Sequence, residues 1–445
     1  MKKSKLTMKE TIVVASTLFG MFFGAGNLII PVKLGQDAGA NAWPAILGFC
    51  ITAVTIPILA VAAMGNTGSD NLMQLSSKVG KKYAKIFTAA LYLTIGPFCA
   101  IPRCAATSFT ISTSAFAGGS NMWIWQLIFT FIFFALVLFF SLRPSGITTW
   151  IGKIINPIFL ALLGVLLLVA IIKPGASIAS VTPDDAYQSG ALFKGFIDGY
   201  ATMDAIAGLA FGIVIIAAVR DLGVERDSDV AKATIKAGVF AGILMAVLYV
   251  LIIVMGVKSR GPLEIAENGG IALAQISKHY LGGFGYILLG ATMTFACLKT
   301  AIGLVTSCGE MFVRLIPGKL NYRGWSLVFT LFSLIVSNVG LTAILKWAIP
   351  VLRLLYPLTI TLIIVALCEN LFGKSREVYM WVTIGAFIPA VFDFFKELNV
   401  TAIADMGSKI FPLFDLGLGW VVPSLIGLII GLIMSKMKGK ITETA

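Results

Sequence analysis

Ser16-Thr-Leu-Phe-Gly20-Met-Phe-Phe-Gly24-Ala-Gly26-Asn27-Leu-Ile-Ile-Pro31 is apolar enough to lie in a bilayer, yet it carries three glycines and an asparagine at its middle. A spanning helix must satisfy its own backbone polar groups, so irregular backbone at membrane depth survives only where it lines a cavity. Glycine removes side-chain bulk and tolerates unwound dihedrals. Unwinding here would free N–H groups near Ala25 and Gly26 at the start of a second half-helix. These groups and the positive dipole end suit a carboxylate. Carbonyls freed near Gly20 and Phe23 suit a small cation. The plain alternative is a Gly20-to-Gly24 packing face.

A matching interruption lies at Asp198-Gly-Tyr200-Ala-Thr202-Met203-Asp204-Ala-Ile-Ala207-Gly-Leu-Ala-Phe-Gly212. Acidic residues at membrane depth cost roughly 2.5–3.5 kcal/mol on insertion scales and mark pathways. Asp198 reads as the shallower acid if only one is deep. Interrupted segments at corresponding positions of two halves point to an inverted-repeat transporter site.

The rest of the chain is of one kind. It has 445 residues, 58% apolar and 12% charged, with a mean hydropathy of +0.94. A soluble chain is about 45–50% apolar and roughly 25% charged, which excludes a soluble enzyme. Apolar runs fall at 11–33, 43–65, 86–115, 122–141, 146–172, 191–219, 232–257, 282–313, 325–339, 343–371, 378–394 and 417–435. A span needs about 20 apolar residues, so these predict about twelve transmembrane helices in one all-α domain over 1–445. The interruptions fall in the first and sixth. The first run is read as a retained helix rather than a secretory signal.

Lys and Arg set the orientation. With the N-terminus inside and alternating spans, 22 of the 34 basic residues fall inside and 8 outside, while Arg103, Lys299, Lys346 and Arg353 lie within apolar runs. Both termini are therefore expected in the cytoplasm. The asymmetry explains the net charge of +13 without a nucleic-acid partner. The six cysteines form no CxxC pair and the only histidine is His279, read as an exposed outer-loop residue. This pattern argues against a metal centre or a disulfide framework. No Walker stretch or Ser–His–Asp set is present, so neither ATP hydrolysis nor covalent chemistry is expected.

Several further polar groups interrupt the runs. Thr292, Lys299, Gly303 and Ser307 share one helical face by spacings of seven, four and four. Lys299 is too far from either end of its run to snorkel, so a polar cavity or an acid is expected beside it. Arg103 follows Pro97 and Pro102 and is read equally as a pathway or a structural residue. Lys346 and Arg353 share a face, with Lys346 snorkelling and Arg353 assigned to a vestibule.

Gly20-Met-Phe-Phe-Gly-Ala-Gly-Asn-Leu-Ile-Ile-Pro31, Gly96-Pro-Phe-Cys-Ala-Ile-Pro-Arg103, Gly199-Tyr-Ala-Thr-Met-Asp-Ala205 and Ala296-Cys-Leu-Lys-Thr-Ala-Ile-Gly-Leu304 resemble signature stretches of the bacterial branched-chain amino acid:cation symporters, the carrier protein II group. The resemblance runs from the first span to the last. It implies the leucine-transporter-type fold, with inverted five-helix repeats at 9–172 and 191–371 and two additional helices at 378–435. It implies import of Leu, Ile and Val by alternating access in a bacterial plasma membrane. Sodium-independent exchange or uniport, or a channel, are the alternatives. Lipid is the only other partner implied, with no protein partner and no cofactor beyond Na⁺ or H⁺ as coupling ion.

Carried over, Ala25 and Gly26 hold the substrate carboxylate, and Thr202, Met203 and Asp204 lie near the ammonium group and side chain. Phe22, Phe23, Asn27, Tyr200 and Ala207 complete the expected pocket. A cation site would use the carbonyls of Gly20 and Phe23 with two adjacent hydroxyl residues on the eighth helix. Here that pair is Lys299-Thr300, a departure that places an ammonium where sodium would sit. Coupling is thus expected to run on protons or on Na⁺, with Lys299 weakening the case for Na⁺.

Overall fold

The computed structural model describes residues 3–113 and 121–443. Lys2, counted above among the inner cations, and the last two residues of the 86–115 run lie outside the described residues. So do the side chains of Lys438 and Lys440. Among the described residues there is no strand, only an isolated β-bridge between Lys3 and Val224.

Among the described residues, each of the twelve apolar runs is mostly helical. The helices used below are α1 (Met8–Phe22), α2 (Gly26–Ala38), α3 (42–67), α4 (Lys81–Thr113), α5 (Met122–Ser141), α6 (Thr148–Ile172), α7 (Ala191–Asp198), α8 (Asp204–Asp221), α9 (Asp227–Ser259), α10 (Gly269–Leu315), α11 (Tyr322–Ser337), α12 (Leu341–Leu367), α13 (Arg376–Glu397), α14 (Thr401–Ile410) and α15 (Val421–Glu443). Among the described residues, eight helical stretches are long and apolar enough to cross a bilayer. The bent pair α7–α8 makes a ninth, and α11 and Val421–Met437 are shorter apolar helices. The chain is a multi-pass membrane protein.

Local chemistry sets the boundaries. Thr7 and Glu10 form a capping box at the start of α1, satisfying two orphan N–H groups reciprocally. Gly39 stops α2 with φ +48°, outside the right-handed helical region. Gly282, φ +61°, divides α10 into a short first arm and a long second arm. His279 therefore sits exposed on a helical arm, not in the expected loop, because Asn268 caps that arm through its bond from Ile271 N.

Helices α1, α2, α3, α7, α8 and α9 pack as one cluster, and α4 packs along α10 beside it. Helices α13 and α15 pack on one another, α13 also against α12, at the edge of the molecule. Close crossings rely on glycine. A Cβ on Gly35 of α2 would stand 2.1 Å from Ile253 O of α9, and one on Gly256 would stand 2.2 Å from Val32 O. On α8, a Cβ at Gly208 would lie 2.8 Å from Pro57 O of α3.

Candidate functional site

The first span breaks between α1 and α2. Phe23 N still donates to Phe19 O, but Gly24 N turns to Phe22 O at 2.9 Å and to Asn27 Oδ1 at 3.0 Å. Gly20 O, its ordinary helical acceptor, is thereby released and takes only a long bond, 3.5 Å, from Thr300 Oγ1. Gly26 and Asn27 then open α2 with N–H groups that have no helical partner, as at any helix start.

The sixth span breaks between α7 and α8. Gly199–Thr202 is a 3₁₀ turn, and Met203 adopts φ +67°. A non-glycine residue in that region costs of order 1–3 kcal/mol and persists where surroundings impose it. Thr202 Oγ1 donates to Gly199 O at 2.8 Å and accepts from Asp204 N at 3.4 Å.

The two breaks face each other through a buried polar triangle. Asn27 Nδ2 donates to Asp204 Oδ2 at 2.6 Å, and the Tyr249 hydroxyl of α9 donates to the same oxygen at 2.9 Å. Asn27 Nδ2 also lies 2.5 Å from that hydroxyl. All three side chains are buried. Buried polar groups must be paired, so the triangle ties α2, α8 and α9 together at the site.

Eight of the ten expected substrate residues, Phe22, Ala25, Gly26, Asn27, Thr202, Met203, Asp204 and Ala207, line one cavity of about 30 Å³. Thr300 of the expected cation set lines it too. Its apolar wall includes Met21, Ile95, Phe211 and Leu304. At ~10–15 Å³ of such volume per water, it holds about two waters in this conformation. Phe23 and Tyr200 lie outside this lining. Phe23 stacks with Tyr249 at 5.5 Å, and Tyr200 stacks on Tyr356 at 4.1 Å. Beyond the small cavity lies a vestibule of about 740 Å³ that reaches Lys278 and Tyr286 and shares Ala25, Gly26, Arg103 and Met203 with it.

Lys299 is fully buried. Its stem passes Gly20, where an added Cβ would lie 3.6 Å from Lys299 Cδ. Its ammonium ends among three rings, 3.9 Å from the centroid of Phe159, 4.8 Å from Phe19 and 5.6 Å from Phe23. It has no hydrogen-bond partner among the described residues. The sequence anticipated a polar cavity or an acid beside it; the structure places aromatic faces there, whose negative quadrupoles attract a cation. Phe23 thus meets Lys299 through its ring.

Other expectations sort by depth. Asp198 pairs with Lys194 and Tyr187 at the end of α7, so Asp204 is the deep acid. Arg353 Nε pairs with Glu397 of α13 at 2.9 Å and lines a pocket of about 280 Å³ with Lys194, Asp198 and Lys396, separate from the vestibule at the helix breaks. Glu397 lies 44 residues further on, in a helix whose packing was not legible. Lys346 is exposed. Tyr249 was missed because a tyrosine in an apolar run carries no signal of its own; its only hint is a hydroxyl that requires a partner. Arg103, left between two roles, lines both cavities.

The polarity of this arrangement suits a zwitterion. A helix N-terminus and a guanidinium offer positive potential, Asp204 offers a carboxyl group, and the remaining wall is aliphatic and aromatic.

The family described as "Branched-chain amino acid transport protein" matches residues 7–438. A branched-chain amino acid permease BrnQ of Lactobacillus delbrueckii subsp. lactis is 46% identical, covering 95% of this chain and 96% of its own. BrnQ of Bacillus subtilis is 40% identical over 98% of this chain and 99% of its own. The branched-chain amino acid transport system 2 carrier protein of Pseudomonas aeruginosa is 37% identical over 98% of both. The inward-facing structure of Mhp1 superposes with a TM-score of 0.60 at 14% identity, covering 99% of this chain and 95% of its own. That likeness concerns the fold alone.

Proposed function

Because the chain belongs to the branched-chain amino acid transport protein family, we propose that it imports leucine, isoleucine and valine by alternating access, driven by an ion gradient across a bacterial plasma membrane. The observation that carries this reading is the inner cavity that the two helix breaks line together. The α-carboxylate sits at the Ala25 and Gly26 backbone, and the ammonium lies towards Thr202 and Asp204. The branched side chain packs against Phe22, Met203, Ala207 and Phe211. Fully burying such a side chain is worth about 1.5–3 kcal/mol, which selects against small and charged amino acids.

The cavity is smaller than leucine, so this conformation precedes or follows substrate occupancy. Opening requires α1–α2 and α7–α8 to separate from α4 and α10. The breaks localise that motion, since the polar triangle and the glycine crossings hold α2, α8 and α9 as a unit.

Twelve crossings are reached when α1–α2 and α7–α8 each count as one broken span and α3 is separated from α2 at Gly39. The repeats at 9–172 and 191–371 then place α2 against α9 and α8 against α3. These contacts are equivalent under a five-span shift, and both are made through glycine. Both termini are cytoplasmic, and the vestibule faces outward, on the side of Lys278.

Lys299 takes the place of a coupling ion, so transport runs without sodium. Exchange or uniport is the second reading, favoured by the absence of a titratable partner within hydrogen-bond distance of that ammonium among the described residues. The test is purified protein in liposomes with independently imposed Na⁺ and H⁺ gradients, together with counterflow of labelled leucine. Saturable counterflow is expected, and conduction without counterflow would identify a channel instead.

A further inference from the structure

Arg103 stands on α4 beyond the kink at Gly96, whose ψ of −122° leaves the helical region. The kink turns the following segment so that the guanidinium reaches the facing helix breaks. Nη1 donates to Ala201 O, in the turn before α8, at 3.1 Å. Nη2 lies against the Gly26 backbone, 3.2 Å from where a Cβ would stand.

Arginine at membrane depth is ordinarily paired. No carboxylate of the described residues lies within ion-pair distance of Arg103. The start of α2 adds a second positive feature at the same place. Against these stands one neutral carbonyl at hydrogen-bond distance, while Asp204, the acid of the same cavity, is held in the polar triangle by Asn27 and Tyr249.

The vestibule has the same polarity. Its lining includes Lys278 and Arg103 and no acidic residue among those described. Low-dielectric walls focus such a potential and draw an anionic group inward. Arg103 lines both vestibule and inner cavity, so an incoming carboxylate meets it at the boundary.

We propose that Arg103 is the counter-ion of the substrate's α-carboxylate and the residue that makes a carboxylate obligatory for recognition. This rests on the reading that the cavity takes an amino acid. The carboxylate accepts N–H groups of α2 on one side and the guanidinium on the other, while Nη1 keeps its bond to Ala201 O. The substrate then joins α2, α4 and the α7–α8 break through one charged group. Arginine suits this place because its planar fork pairs two-pronged with a carboxylate.

The experiment compares binding of labelled leucine to detergent-purified protein with competition by leucinol, which keeps the ammonium and side chain but lacks the carboxylate. The unmodified protein is expected to prefer leucine strongly. Arg103→Gln should weaken leucine by about 10- to 100-fold, the scale of a lost charged hydrogen bond, while changing leucinol by less than about twofold. Arg103→Lys should recover part of the preference, since it restores charge but not the fork.

Equal loss of leucine and leucinol in Arg103→Gln would show a structural role and overturn the proposal. So would comparable affinity for both compounds in the unmodified protein, an arm that needs no variant to fold. Failure of the unmodified protein to bind leucine at all would remove the amino-acid reading itself, and this proposal with it.

Discussion

Gly26 shows how little room the site allows. A Cβ there meets Arg103 Nη2 at 3.2 Å and Ala201 O at 3.6 Å. Alanine is therefore expected to cost leucine affinity several-fold, and Gly26→Val to abolish binding while the protein still elutes as one species. Normal leucine binding by the valine variant would move the site elsewhere. Tyr249 carries a different load, because its hydroxyl donates to Asp204 and also meets Asn27. Tyr249→Phe strips the buried carboxylate of one donor, so a loss of about 1.5–3 kcal/mol is expected, read as a lowered Tm in a thermal shift assay. Unchanged stability would mean that water or another group replaces the bond. These two residues also mark what was legible. Gly26 and Asp204 stand out because glycine and an acid are anomalous within apolar runs. Tyr249 does not, since tyrosine is at home in a membrane helix and its partner lies 45 residues away.

Helices α2 and α9 approach until backbone touches backbone, and this contact keeps the broken span in place. The interruption itself was readable from Gly24, Gly26 and Asn27, and the second from Thr202 to Asp204, because irregular backbone persists at membrane depth only beside a cavity or buried in protein. The crossing partners were not readable. Gly256 resembles Gly238 on the same helix, yet a Cβ at Gly256 would be 2.2 Å from Val32 O, whereas one at Gly238 meets only Ile58 Cγ2 at 3.5 Å. Gly256→Leu is therefore expected to eliminate folded protein. Gly238→Ala should be neutral or stabilising by roughly 0.5–1 kcal/mol, the helix-propensity gain of alanine over glycine. Folded yield and Tm of the two variants make the comparison. Equal tolerance would mean that α2 and α9 are not fixed against each other. The kink in α4 follows the same logic: Gly96-Pro97 announces a bend, but not that Arg103 beyond it reaches Gly26.

At the scale of the whole molecule, the proposed coupling turns on how α1, α6 and α10 meet around Lys299. The sequence placed a lysine beside Thr300 on the eighth span but could not show its surroundings, because Phe19, Phe23 and Phe159 come from a different span or from α6 and look like ordinary core residues. A hard cation requires oxygen ligands, and the rings offer none. Thr300 Oγ1 and the released Gly20 O remain, a set too sparse for sodium while the ammonium fills the adjoining space. Cation–π attraction can hold a desolvated ammonium with about 2 kcal/mol or more, so a charged Lys299 fastens α1 and α6 to α10. Loss of its proton would release them and provide a switch tied to the proton gradient. Leucine uptake at fixed pH is thus expected to persist when choline replaces Na⁺, and to increase when the outside is made more acidic than the inside. Lys299→Met keeps the apolar volume without the charge, so it should fold and exchange leucine but fail to accumulate it under a proton gradient. Lys299→Thr supplies a hydroxyl beside Thr300 and space for an ion, and is expected to gain stimulation by Na⁺. Strict Na⁺ dependence of the unmodified protein would defeat this account. Proton-driven accumulation by Lys299→Met would instead assign the proton to another group, with Asp204 next in line because it is the deep acid within the cavity.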